Sequence, residues 1–315
     1  MSAPGSGNRA IVAALTANLG IAVLKLVAFL LTRSSSMLAE SIHSVVDSGN
    51  QVLLLVGGRR ARQSADAEHP FGYGRVRYLY AFIVSVVLFS VGGLFALYEG
   101  YHKWQHPEPI EGRWWWVPLA VLVGAIGLET YSFRTAIGEA NPLRAGRSWL
   151  RYIRESKSPE LPVVLLEDLA ALIGLLLALF GVGFTLLTED GRWDAAGTAL
   201  IGLLLVGVAV LLAVETSSML VGEAASPQQE AAIRQALVGA GVLRVIHLRT
   251  MHLGPDELLI AAKISVPADS TGQQIAAAID QAENRVRSAI GLHAFIFLEP
   301  DLDRVSATAG PPAAP

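Results

Sequence analysis

The chain has 315 residues, 52% of them apolar and only 16% charged, with a mean hydropathy of +0.47, whereas soluble domains carry about 25% charged residues. That balance excludes an ordinary cytosolic enzyme. The formal charge of -3, from 24 basic and 27 acidic side chains, provides neither the basic excess of a nucleic-acid binder nor an acidic tail. Cysteine is absent, which removes disulfides, thiolate zinc sites and thiol catalysis and leaves imidazole and carboxylate as metal ligands.

Crossing about 30 Å of hydrocarbon takes roughly 20 apolar residues. Six stretches are long enough: 10–32, 36–58, 76–98, 114–137, 161–187 and 195–220. The first has no small-residue cleavage site behind a short apolar core, so it is expected to be a retained helix rather than a signal peptide. Arg59, Arg60, Arg62, Arg75 and Arg77 follow the second span, and Arg134, Arg144, Arg147, Arg151, Arg154 and Lys157 the fourth. The alternate loops hold Arg33 alone, then Lys103 and Arg113 beside Glu108 and Glu111, then Arg192 among Glu189, Asp190 and Asp194. The basic loops are expected to face the cytoplasm, with both termini, in a multi-pass protein of the bacterial inner (plasma) membrane. Trp104, Trp114, Trp115, Trp116 and Trp193 then anchor the outer interface.

Beyond Gly222 the composition becomes that of a soluble domain. The periodicity predicts a helix at 228–238, strands at 242–251 and 257–266 about the turn Gly254-Pro255-Asp256, a helix at 271–289 and a strand at 294–298. The expected organisation is an α-helical membrane protein with six transmembrane helices at 1–222, a cytoplasmic α+β domain of α-β-β-α-β, ferredoxin-like order at 223–304, and a disordered tail at 305–315. A domain of about 80 residues has a small core, which pairing with a second copy would support.

In the second span Ser36, Glu40, His43, Asp47, Asn50 and Gln51 recur at helical spacing and share one face. A polar stripe inside a membrane must face protein or water, and ionisable groups there point to a substrate or proton path. His43 and Asp47, at i and i+4, can aim a nitrogen and an oxygen at one point, half of a tetrahedral zinc site; the alternative is a hydrogen-bonded packing histidine. An unpaired Asp47 in hydrocarbon would cost about 2.5 to 3.5 kcal/mol, so it requires a counter-charge, a proton or a cation. The fifth span is apolar except for Glu167 and Asp168, about 100° apart around a helix. Asp168 is the expected ligand there. Glu167 stays open between a ligand and a partner of Lys25, the cation buried in the first span. Asn18 is expected to bridge helices, and Glu99, Glu129 and Glu215 to lie near span ends or pack against neighbours without a chemical role.

At these residues the chain resembles the cation diffusion facilitator family of proton-coupled zinc and manganese transporters. The resemblance rests on Ser36-Met37-Leu38-Ala39-Glu40-Ser41-Ile42-His43-Ser44-Val45-Val46-Asp47 in the second of six spans and on the following loop, Asp66-Ala67-Glu68-His69-Pro70-Phe71-Gly72-Tyr73-Gly74-Arg75. The order of elements in the tail also fits. His43 to Asp47 with Leu166-Glu167-Asp168 is most similar to the branch containing the mitochondrial zinc exporter. The resemblance implies a homodimer in the lipid bilayer that exchanges a divalent cation, zinc first and manganese or iron(II) as alternatives, for protons by alternating access. It implies no enzyme activity, no organic cofactor and no nucleic-acid partner.

The implied central site is His43, Asp47 and Asp168, which would also carry the coupled protons, with Glu167 as a candidate fourth ligand. The family's other fifth-span ligand, one turn before the final Asp, falls on Val164. At the family's loop site Asp66 and His69 match, but Tyr73 replaces the second His. In the soluble domain only His247 and Glu299 match the metal positions, with Lys263 and Phe297 at expected His positions, so a dimerisation element is expected there. His252 and His293 are expected to be ordinary surface or strand-end residues. A non-transporting metal receptor or scaffold is the alternative of a different class, and a carrier of another solute is a further one.

Overall fold

The computed structural model describes residues 8–32, 35–107 and 115–302; the side chains of residues 32–40, 42 and 43 also lie outside the described set. Trp114 and the expected tail are therefore outside the described residues. The chain divides into two compact units, with the boundary between Leu220 and Val221.

The first unit is helical. It comprises α1 (Asn8–Thr32), α2 (Ser35–Arg60), α3 (Val76–Val87), a π-helical segment (Leu88–Leu94), α4 (Phe95–Gln105), α5 (Val117–Arg144), α6 (Trp149–Glu155), α7 (Glu160–Thr188) and α8 (Arg192–Val221). Among the described residues five stretches are long and apolar enough to cross a membrane: Asn8–Leu31, Val76–Gln105, Val117–Arg144, Glu160–Thr188 and Arg192–Val221. The remaining long helix, α2, has 26 residues, but its polar stripe lowers its hydropathy. A long helix with such a face can be buried only against protein or a hydrated path. The chain is a multi-pass α-helical membrane protein with a small α/β domain.

Small side chains allow the helices to approach one another closely. Ala10, Ala14, Ala81, Ala136 and Ala140 are buried in the core with Ile11, Val84, Val163 and Val164, whereas Leu30, Phe180 and Leu187 are exposed, as lipid-facing positions should be. Close approach is most evident between the third and sixth spans. A Cβ on Gly93 would meet Val206, on Gly100 would lie 2.8 Å from the Ala199 nitrogen, and on Gly202 would lie 2.8 Å from the Leu97 nitrogen. The sequence predicts one unbroken third helix, but a π segment interrupts it.

The basic segment between the fourth and fifth spans contains a short helix, α6, that the sequence reading does not anticipate. Ser148 caps it by accepting from the Arg151 N–H at 3.3 Å, as N-cap serines do, and Glu155 pairs with Arg151 at 2.7 Å and Arg147 at 3.3 Å. Arg147 and Arg151 hold the Glu155 carboxyl below its ordinary range, Arg151 most strongly. Arg77 of α3 meets Glu160 at the start of α7 at 3.4 Å.

The second unit follows the expected order: α9 (Pro227–Leu237), β1 (Arg244–Gly254), β2 (Glu257–Val266), α10 (Gly272–Ile290) and β3 (His293–Leu302). The sheet order is β1-β2-β3. β1 pairs antiparallel with β2 across the turn, and β3 pairs parallel with β2 because α10 carries the chain back to the same end, as parallel crossovers do. The central strand alternates: Leu258, Ile260, Ala262 and Ile264 are buried, and they pack with Ala278, Ala282 and Val286, one stripe of α10. Ser226 and Thr271 close capping boxes at the two helix starts.

Candidate metal site

On α2 the helix places His43 one turn before Asp47 and on the same face; the His43 side chain, like those of Ser36 and Glu40, lies outside the described residues. Asp47 is half-buried. Ser41 fastens this helix to α1 by donating from its hydroxyl to the Ala22 carbonyl at 3.0 Å. One turn beyond Asp47, Asn50 and Gln51 are 1% and 0% exposed. The amide nitrogen of Asn50 donates to Oε1 of Glu167 at 3.1 Å, and that of Gln51 donates to Oε2 at 2.7 Å. Each oxygen of the α7 carboxylate thus receives a donor from α2. The carbonyl oxygens of the same two amides have no hydrogen-bond partner among the described residues. Leaving a buried carboxylate bare costs more than leaving a carbonyl bare, which accounts for this orientation.

The adjacent Asp168 looks elsewhere. It is 1% exposed, its Oδ2 accepts the Ser132 hydroxyl of α5 at 2.7 Å, and it is hydrogen-bonded to the Glu129 carboxyl, also of α5. A bond between two carboxyl groups holds one proton, because two carboxylates have no donor between them. Glu129, expected near a span end or packed against neighbours, is 2% exposed and packs into the acidic cluster in mid-span. The rule that an ionisable residue in mid-span marks a functional path applied to it, and Ser132 three residues later supplied the helical spacing.

Charge assembles the rest. Asp168, Glu167 and Asp47 all act on Glu129, with Lys25 of α1 as the attractive charge, and Asp47 also acts on Glu167. The hydrogen bonds on Glu167 come from the α2 amides, while Lys25, 7% exposed, attracts Glu129. Buried acids among the described residues that act on one another in a region of low dielectric need protons or a cation to offset repulsion. Among the described residues no group of three or more His, Cys, Asp or Glu side chains is arranged to hold a metal ion: in this conformation Glu167 turns to α2 and Asp168 to α5.

The loop after α2 is closed by Asp66. Its Oδ1 accepts the backbone N–H groups of Glu68 at 3.0 Å and His69 at 2.7 Å, and its Oδ2 accepts the Tyr73 hydroxyl at 2.7 Å. These donors, Tyr73 foremost, hold the Asp66 carboxyl below its ordinary range, and the same bond raises the Tyr73 hydroxyl. The His69 ring stacks at 4.3 Å from that of Tyr73, with Nδ1 3.6 Å from Asp66. Tyr73, at the expected second His position, completes a hydrogen-bonded loop.

In the α/β unit Lys263 lies 3.0 Å from Glu299 and 2.9 Å from Asp301. These acids raise the lysine above its ordinary range, Asp301 contributing most. The ammonium therefore occupies the carboxylate that the family would use for metal, while His247 stands opposite Lys263 in the register. His252, expected at the surface or a strand end, lies two residues from the end of β1 and is buried at 3% exposure, with its Nδ1 3.3 Å from the Gly254 carbonyl. His293 is an exposed strand-end residue.

Six long helices with an acidic cluster at their interior define an integral membrane protein of the ion-transport type. Residues 11–221 match the cation efflux transmembrane domain, and the chain belongs to that family, the cation diffusion facilitators, near its mitochondrial zinc antiporter branch. It is 32% identical over 243 residues to the mitochondrial proton-coupled zinc antiporter SLC30A9 of Homo sapiens, covering 76% of this chain and 42% of that protein. Over 271 residues it is 28% identical to metal tolerance protein C4 of Arabidopsis thaliana, covering 85% of this chain and 58% of that protein. Over 111 residues it is 33% identical to the cation-efflux pump FieF of Yersinia enterocolitica, covering 35% of this chain and 37% of the pump. The chain therefore spans less than two thirds of the length of the relatives it matches over most of its own.

Proposed function

We propose that the chain is a proton-coupled divalent cation efflux transporter, with zinc as the lead substrate, working by alternating access in a homodimer. The observation that carries this reading is the burial of Glu129, Glu167 and Asp168, with half-buried Asp47, inside a helical bundle. His43, Asp47 and Asp168 are the proposed ligands, with Glu167 the candidate fourth once its amide partners release it. Protons and metal compete for the same nitrogen and oxygen atoms, so loading requires their deprotonation and protonation drives release. A carboxylate-rich set also admits manganese or iron(II) by the same route.

The basic loops support an orientation with both ends and the α/β unit in the cytoplasm, in a plasma membrane. The division into a membrane unit and an α/β unit near residue 222 supports the proposed domain arrangement, with the second unit as a dimerisation element. The loop pair Asp66 and His69 is a weaker metal candidate, since Asp66 would first have to give up three donors.

The test is metal flux in proteoliposomes under an imposed pH gradient, comparing zinc, manganese and iron(II). Flux accelerated by the gradient and lost in His43→Ala and Asp47→Ala is the expected result. Flux indifferent to the gradient removes the antiport mechanism, unchanged flux in the variants removes the site, and binding without flux identifies a receptor or scaffold.

A further inference from the structure

We infer that Glu129 and Ser132 of α5 are positioning residues for transport: they hold the Asp168 carboxyl in a fixed orientation for its encounter with the ion. This inference rests on the transport reading above. Glu129 and Ser132 are three residues apart, so they share one face of α5, and both terminate on Asp168 of α7. All three are fully enclosed, at 2%, 0% and 1% exposure. No solvent is available there to replace a lost partner.

A carboxylate ligand with two fixed partners presents its remaining lone pairs in a defined direction; without them it has two rotatable bonds and no preferred aim. Such partners outside the ligand set commonly contribute 10- to 100-fold in metal affinity. The arrangement also assigns different supports to the two α7 acids. Glu167 is held by amides of α2, the helix that carries His43 and Asp47, whereas Asp168 is held by α5. A change in the spacing of α5 and α7 would therefore re-aim Asp168 without requiring any change in α2, so the orienting group lies in the fourth span and outside the ligand-bearing helices.

The full chain in proteoliposomes tests this with Glu129→Leu, Glu129→Gln and Ser132→Ala. Zinc flux is measured against concentration, and zinc binding in detergent by calorimetry. Gln matches the shape of the carboxylic acid and retains an N–H donor for Asp168. Glu129→Leu is expected to raise the half-saturating zinc concentration and the dissociation constant together by about 10- to 100-fold, and Ser132→Ala to shift both in the same direction. Glu129→Gln is expected to stay near wild type. Wild-type half-saturation in Glu129→Leu overturns the proposal. So does a loss in Glu129→Gln as large as in Glu129→Leu, since an ionisable oxygen rather than a donor would then be needed. If Glu129→Leu does not fold, the contrast between Glu129→Gln and Ser132→Ala decides: Ser132→Ala binding as wild type, or Glu129→Gln losing binding, refutes it. His43→Ala and Asp168→Asn run alongside. If both retain flux, the transport site itself is wrong and the inference falls with it; if both lose flux while Glu129→Leu is normal, only the inference fails.

Discussion

Glu167 and Asp168 are neighbours in sequence but belong to different hydrogen-bond systems: Glu167 accepts two amides of α2 at 3.1 and 2.7 Å, and Asp168 accepts a hydroxyl of α5 at 2.7 Å. The 100° step of a helix lets two adjacent positions on α7 engage two different helices.

The amide clamp should matter to stability. Asn50→Leu and Gln51→Leu are each expected to destabilise the protein by about 1 to 2 kcal/mol, the cost of leaving a buried acceptor without its donor. Combining either with Glu167→Gln should recover part of the loss, because one of the two acceptor oxygens is gone. Thermal unfolding in detergent, arranged as double-mutant cycles, measures the coupling; strictly additive losses would refute the clamp.

At the crossing of the third and sixth spans, Gly100 and Gly202 face backbone atoms at distances a Cβ cannot share. Gly202→Val is expected to cost about 1 to 3 kcal/mol, the usual penalty for overpacking, whereas the same change at Gly207, where a Cβ meets nothing within 4 Å, should be far milder. Comparative unfolding of the two variants checks this.

In the loop, the Asp66 carboxyl is lowered in the folded state by its bond from Tyr73 and by the amides of His69 and Glu68. A depressed value means that the ionised carboxylate supports the loop above the ordinary Asp range, near 3.9, and that the support is lost as pH falls through the folded value. Normalised hydrogen exchange at Glu68 and His69 should therefore be faster in Asp66→Ala than in wild type at neutral pH, with the difference fading in acid.

For Lys263 the sign is opposite. Asp301 and Glu299 raise it, so its contribution is complete below the ordinary lysine value of about 10.4 and is lost as pH rises through the folded value. Lys263→Met should weaken the end of the β2–β3 pairing at neutral pH and low salt, have less effect at high salt because exposed pairs are screened, and have least effect in strong base. Denaturant unfolding of the full chain, monitored in the α/β unit, reads the difference; a salt-independent effect would point to packing.

Some of this was legible without coordinates because it depends on local patterns. Apolar runs fixed by bilayer thickness marked the six long helices, and alternation along 257–266 marked the central strand. The i, i+4 spacing put His43 with Asp47, and the hydrophobic cost of Asp47 and Asp168 singled them out. Other features depend on which helices face each other. Nothing local to Glu129 and Ser132 says that Asp168 will meet them, or that Asn50 and Gln51 will reach Glu167, because each contact joins residues 36 or more positions apart. His252 had a polar identity but no sequence sign of burial. The sequence alone determined the long apolar helices, the order of elements in the α/β unit, the membrane character and the identity of the polar stripe, since these follow from transfer free energy and helical periodicity. Only the tertiary structure decided which partner each buried acid has, because hydrogen bonds between helices are set by packing across the bundle.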